Sequence, residues 1–144
     1  MNMKKPYFFP VVLILLICTS LIHQERALSS LLPDEDMVTC AASGYYDGME
    51  ADIAGAIPME NIEELFQAVT VKRGTSSESL SSPCFEIRAA YDDETYIIVV
   101  GADSSVSVAS VDSLASRTFW VDPSGELFES LYRLHLENGG TEFP

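Results

Sequence analysis

The residue types that could carry chemistry are few. Histidine, the commonest general base and metal ligand, occurs twice, as His23 and His135. His135 falls in the last turn of a predicted helix, where a cation meets the negative end of the helix dipole, so a capping role is expected of it. Cysteine occurs as Cys18, Cys40 and Cys84. No Cys-x-x-Cys, His-Glu-x-x-His or Gly-x-Ser-x-Gly is present, which leaves zinc, thiol-redox and serine-hydrolase chemistry without their usual signatures. A Cys84–His135 dyad is conceivable only if folding brings base and nucleophile within hydrogen-bond reach, and nothing in the spacing asks for it.

Carboxylates are abundant and cluster at Asp34-Glu35-Asp36, at Asp47, Glu50 and Asp52, and at Asp92-Asp93-Glu94. None follows the twelve-residue calcium loop, although the second group places an acid on every second or third residue of a turn and strand. Two carboxylates about 5–10 Å apart in a cleft could hydrolyse a glycan, but the sequence singles out no pair. No catalytic residue, metal ligand or cofactor site is therefore assigned. With 8 Lys and Arg against 22 Asp and Glu, the net charge is −14, which excludes nucleic acid as a partner, because such binding rests on neutralising phosphates.

These groups must be positioned by the elements beyond the first apolar segment. Met37–Ser43 and Met49–Ile57 read as a β-hairpin about Asp47-Gly48. Pro58 opens a helix on whose apolar stripe lie Ile62, Leu65, Phe66 and Val69, with acids near its start and Lys72-Arg73 near its end. A serine-dense stretch from Thr75 to Pro83 reads as a loop. Strands are expected at 85–91, 95–100 and 106–108, the last slipping phase through a bulge near Ala109-Ser110, with a further short strand at 117–121. Asp122-Pro123 should cap and open a second helix bearing Leu127, Phe128, Leu131, Tyr132 and Leu134, ending before Gly139-Gly140. The order β-β-α-β-β-β-β-α predicts a two-layer α+β domain, a mostly antiparallel sheet of five to six strands with two amphipathic helices on one face.

The N-terminus decides location. Lys4-Lys5 precedes a run of seventeen uncharged residues from Pro6 to Ile22, so residues 1–22 read as a signal peptide or a single-pass membrane anchor with the rest outside. Leu15-Leu16-Ile17-Cys18 resembles a lipoprotein signal, departing from it at Ile17. Residues 23–36 read as an acidic juxtamembrane linker and 37–144 as one extracytoplasmic domain. Outside the cell, Cys40 and Cys84 could form one disulfide worth about 3–4 kcal/mol, or remain two buried thiols. Trp120, the only tryptophan, is either core or a partner contact, and Tyr45-Tyr46 at the hairpin tip are further candidate partner contacts.

The basic head, apolar segment, acidic linker and terminal Leu131-Tyr132-Arg133-Leu134 helix resemble the small uncharacterised extracytoplasmic domains on signal-bearing or lipoprotein-like proteins of Gram-positive bacteria. That resemblance implies location and fold, and supplies no catalytic residues. The expectation is a membrane-tethered or secreted, non-enzymatic binding or accessory domain, touching the membrane through its N-terminal segment and an unidentified protein or cell-envelope partner through the rest. The alternatives are an acidic inhibitor or decoy of a basic enzyme or peptide, and a carboxylate-based hydrolase.

Overall fold

The computed structural model describes residues 8–22, 24–47, 49–50, 57–74 and 83–144. Helix α1 (Phe8–Ile22) is apolar all round, with Phe9, Ile14 and Leu16 exposed. Its 15 residues extend about 22 Å. No helix among the described residues is long and apolar enough to cross a membrane. Residues 1–7 of the expected signal or anchor segment, 1–22, lie outside the described residues.

The remainder is α+β, as expected. Strands β1 (Arg26–Ala27), β2 (Thr39–Tyr46), β3 (Met49–Glu50), β4 (Thr70–Arg73), β5 (Cys84–Ala90), β6 (Thr95–Gly101), β7 (Ser105–Ser110) and β8 (Ser113–Val121) make one sheet in the order β1-β4-β8-β7-β6-β5-β2-β3. Every pairing is antiparallel. Helices α2 (Met59–Ala68) and α3 (Glu126–Glu137) bury Ile62, Phe66, Leu127, Phe128 and Leu131 in the same core as Ile87, Ile98, Val100, Val106 and Val108 of the sheet. The register between β7 and β8 shifts between Val108 and Ser110, at the expected bulge.

Two corrections concern the element count. Residues 26–36 are not a free linker: Ala27 and Arg26 pair with Thr70 and Val71, a 3-10 turn spans Leu28–Leu31, and Leu28 is fully buried. The apolar spacing of Leu28, Leu31 and Leu32 outweighs the acids beside them. Likewise Lys72-Arg73 do not end a helix. Helix α2 stops at Ala68, because Val69, Thr70 and Val71 form a β-branched run that loses rotamer freedom in a helix and fits a pleated strand.

The hairpin forms about Asp47, whose φ of 49° is left-handed, with Tyr46 opposite Met49. Residues 51–56 of its expected second strand lie outside the described residues. Asp122 does cap α3, but from further back than expected. Gly125 (φ 69°) directly precedes the helix, while the buried Asp122 carboxylate accepts the N–H of Leu127 at 2.9 Å and both the N–H and hydroxyl of Ser124 at 3.1 and 2.7 Å.

The segment after α3 packs against the core through Phe143. Gly139 (φ 86°) places its N–H on the Leu136 carbonyl at 3.1 Å, and Gly140 places its own on His135 at 2.8 Å, the paired bonds of a Schellman stop. The turn sends Thr141–Phe143 back over α3. His135 Nε2 donates to the Thr141 carbonyl at 2.7 Å, and Phe143 stacks on both Tyr132 and His135.

Candidate functional site

Three segments meet around an open groove of about 600 Å³. The first runs from Ser29 to Met37 and contributes Asp34, Glu35 and Asp36; α2 contributes Glu63, Phe66 and Gln67; Tyr91, just past β5, completes the lining. Leu32, Pro33, Met37 and Phe66 give it apolar surface, and its only charged side chains are the four carboxylates. The groove exists because Leu28 is anchored in the core and β1 is paired to β4, which pins the acidic segment alongside α2 rather than leaving it in solvent.

The concentration of negative charge is registered by neighbouring acids. Burial, then Cys40, Glu63, Tyr96 and Glu35, pushes the Tyr91 hydroxyl up to about 12. Burial, then Glu63, pushes the Cys40 thiol up to about 11. Both groups therefore stay neutral, and Tyr91, packed edge-on against Tyr96 with ring centres 6.0 Å apart, is a fixed wall rather than a nucleophile. Asp34, Glu35 and Asp36 are exposed, without the apolar enclosure that sets a general acid apart from an ordinary surface carboxylate. Among the described residues no group of three His, Cys, Asp or Glu is placed to hold a metal ion. What the groove can do is attract and seat positive charge.

The residues singled out from sequence are not brought together. Cys40 and Cys84 are free thiols. Cys40 pairs with Ala89 and Cys84 with Tyr45, five residues apart along adjacent strands, or about 17 Å, well beyond a bridge's reach of about 7 Å. The alternation of β5, with Phe85, Ile87 and Ala89 buried, also puts Cys84 on the face opposite Cys40. Burial and Glu86 raise the Cys84 thiol as well. His135 is a correction of another kind: it is fully buried, edge-on to Phe85 and stacked on Phe143, and serves packing rather than capping. Its Nδ1 has no hydrogen-bond partner among the described residues.

Trp120 is 7% exposed and belongs to the core cluster, so it is not itself a free contact surface. Its indole N–H donates to Thr118 at 2.8 Å, and the guanidinium groups of Arg26 and Arg73 lie 5.6 and 5.2 Å from its ring centre. Tyr45 and Tyr46 are half-buried rather than protruding. In the acidic set considered for calcium, Asp52 lies outside the described residues.

A linker reading of the acids hides the groove, although the leucines around them carry the signal for packing. The two arginines over Trp120 carry no local signal, since they meet only through strands distant in sequence. No protein-family model, no curated protein and no solved structure matches this chain.

Proposed function

We propose that this chain is a membrane-associated or secreted, non-enzymatic binding domain whose acidic groove receives a cationic partner, foremost a basic peptide segment. The observation that carries this reading is the groove itself: four carboxylates and no basic side chain line a space of about 600 Å³ with apolar surface between them. Lys or Arg side chains match such a lining, their charged ends meeting Glu35 and Glu63 while their methylene stems cover Phe66, Leu32 and Met37. A net charge of −14 adds long-range steering toward basic surfaces. Association with a membrane rests on the exposed apolar side chains of α1, which immediately precedes the domain.

Calorimetric titration of the full-length chain with an oligo-arginine peptide tests the reading. Binding should weaken steeply as salt is added, and a Glu35→Gln, Glu63→Gln variant should lose most of it while melting at an unchanged temperature. Affinity independent of salt, or undiminished in that variant, would sink the proposal.

A further inference from the structure

A chain this acidic has few cations, and two of them converge on one ring. Register fixes how. Arg73 pairs with Trp120 and Arg26 pairs with Val71, while buried Val71 and Trp120 share the helix-bearing face of the sheet, so both arginines stand on that face too. There the guanidinium groups lie over Trp120, at 5.6 and 5.2 Å from the ring centre. Neighbouring Lys72 alternates to the opposite face and is paired with Glu25 at 3.4 Å. Arg26 and Arg73 form no ion pair among the described residues.

Two exposed guanidinium groups gathered at one indole carry like charge, which a shared anion would offset. A guanidinium carries five N–H donors in a planar fork, which suits it to grip a phosphate or carboxylate through paired hydrogen bonds. The chain also restricts where that anion comes from. Arg26 is four residues beyond Ile22, the last residue of apolar α1, and four residues reach at most about 14 Å. With α1 in a bilayer, that reach covers a headgroup layer about 5–7 Å deep on each side.

We propose that Arg26 and Arg73, gathered over Trp120, bind the phosphodiester of an anionic phospholipid headgroup and so orient the domain on the membrane. The proposal rests on the membrane association put forward above and is independent of the acidic groove. A phosphate held there supplies the counter-charge that the two guanidiniums lack, while the groove carboxylates remain available to a cationic partner.

Trp120 is the only tryptophan, so its emission in the full-length chain reads the clamp directly. Flotation with neutral phosphatidylcholine vesicles tests the association alone; adding phosphatidylglycerol to the vesicles tests the clamp. Emission should shift when phosphatidylglycerol is present, and an Arg26→Gln, Arg73→Gln variant should float equally well on neutral vesicles yet lose the shift, its preference for the anionic vesicles falling about thirtyfold. Arg26→Lys, Arg73→Lys, which keeps the charge and loses the planar fork, should recover only part of it. If the Gln pair disturbs folding, as judged by circular dichroism, Arg73→Gln alone carries the comparison. Floating protein whose emission ignores phosphatidylglycerol overturns the proposal, as does an unaltered shift in the Gln variant. An equal shift with inorganic phosphate in neutral vesicles overturns the lipid as its source. Failure to float on neutral vesicles, by contrast, overturns the membrane association itself.

Discussion

Gly140 lies against the face of the His135 imidazole while its N–H bonds the carbonyl of the same histidine at 2.8 Å. A β-carbon at Gly140 would overlap Cε1 and Nδ1 of the ring, which is itself locked between Phe85 and Phe143. Gly140→Ala should therefore lift the C-terminal turn from α3 and cost about 1–3 kcal/mol, seen as a lower midpoint in urea unfolding. An unchanged midpoint would mean that the tail contributes little to stability.

The same tail reaches the sheet at Gly44, where an added β-carbon would come within 2.8 Å of Phe143 Cζ. Gly44→Ala should destabilise the chain by displacing the Phe143 ring. In a Phe143→Ala background the substitution should cost nearly nothing. The difference between the two costs is the coupling, expected at about 1 kcal/mol, and simple additivity would disprove the contact.

Tyr91 and Cys40 give a pH dependence whose sign follows from their protons. The folded state holds the Tyr91 proton up to about 12 and the Cys40 proton up to about 11, against ordinary values of 10.0 and 9.0. Between these limits the folded chain binds more protons than the unfolded one, so stability is fully present below about pH 9 and declines as pH rises toward 12. Tyr91→Phe should flatten the upper part of that decline in melting experiments. Alkylation of Cys40 should lag that of an unhindered thiol at pH 8, and equal rates would contradict its burial.

Asp122 satisfies three donors with one buried carboxylate. Asp122→Ala leaves the first turn of α3 without its acceptor and should cost about 2 kcal/mol by chemical denaturation. Asp122→Asn keeps one acceptor oxygen and should cost less; an equal loss would point to charge rather than hydrogen bonding.

Legibility in the sequence depends on the range of each signal. The stripe of Ile62 and Phe66, the strands from Phe85 onward and the glycine stop of α3 are local patterns, and all are readable. Strand β4 is hidden because Lys72-Arg73 imitate a basic helix end, while the β-branched residues just before them carry the opposite preference. The anchoring of Leu28 and the meeting of Arg26 with Trp120 depend on pairing across long stretches of chain, for which one sequence has no period to read. The acidic groove is hidden for the same reason, since its acids gain meaning only when Leu28 is pinned beside α2.

The sheet also has an order of assembly written into its connections. Strands β5 to β8 each pair with their neighbour in sequence, so this meander closes only short loops as it forms. Arg26, Arg73 and Trp120 meet only when β1 joins β4 and β4 joins β8, contacts that draw on three distant segments. The tryptophan is thus expected to be roofed late, and its fluorescence in refolding should trail the far-ultraviolet signal of the meander. A phosphate site built this way would be present only on molecules that have finished folding, so that attachment to the headgroups would itself act as a check on completeness.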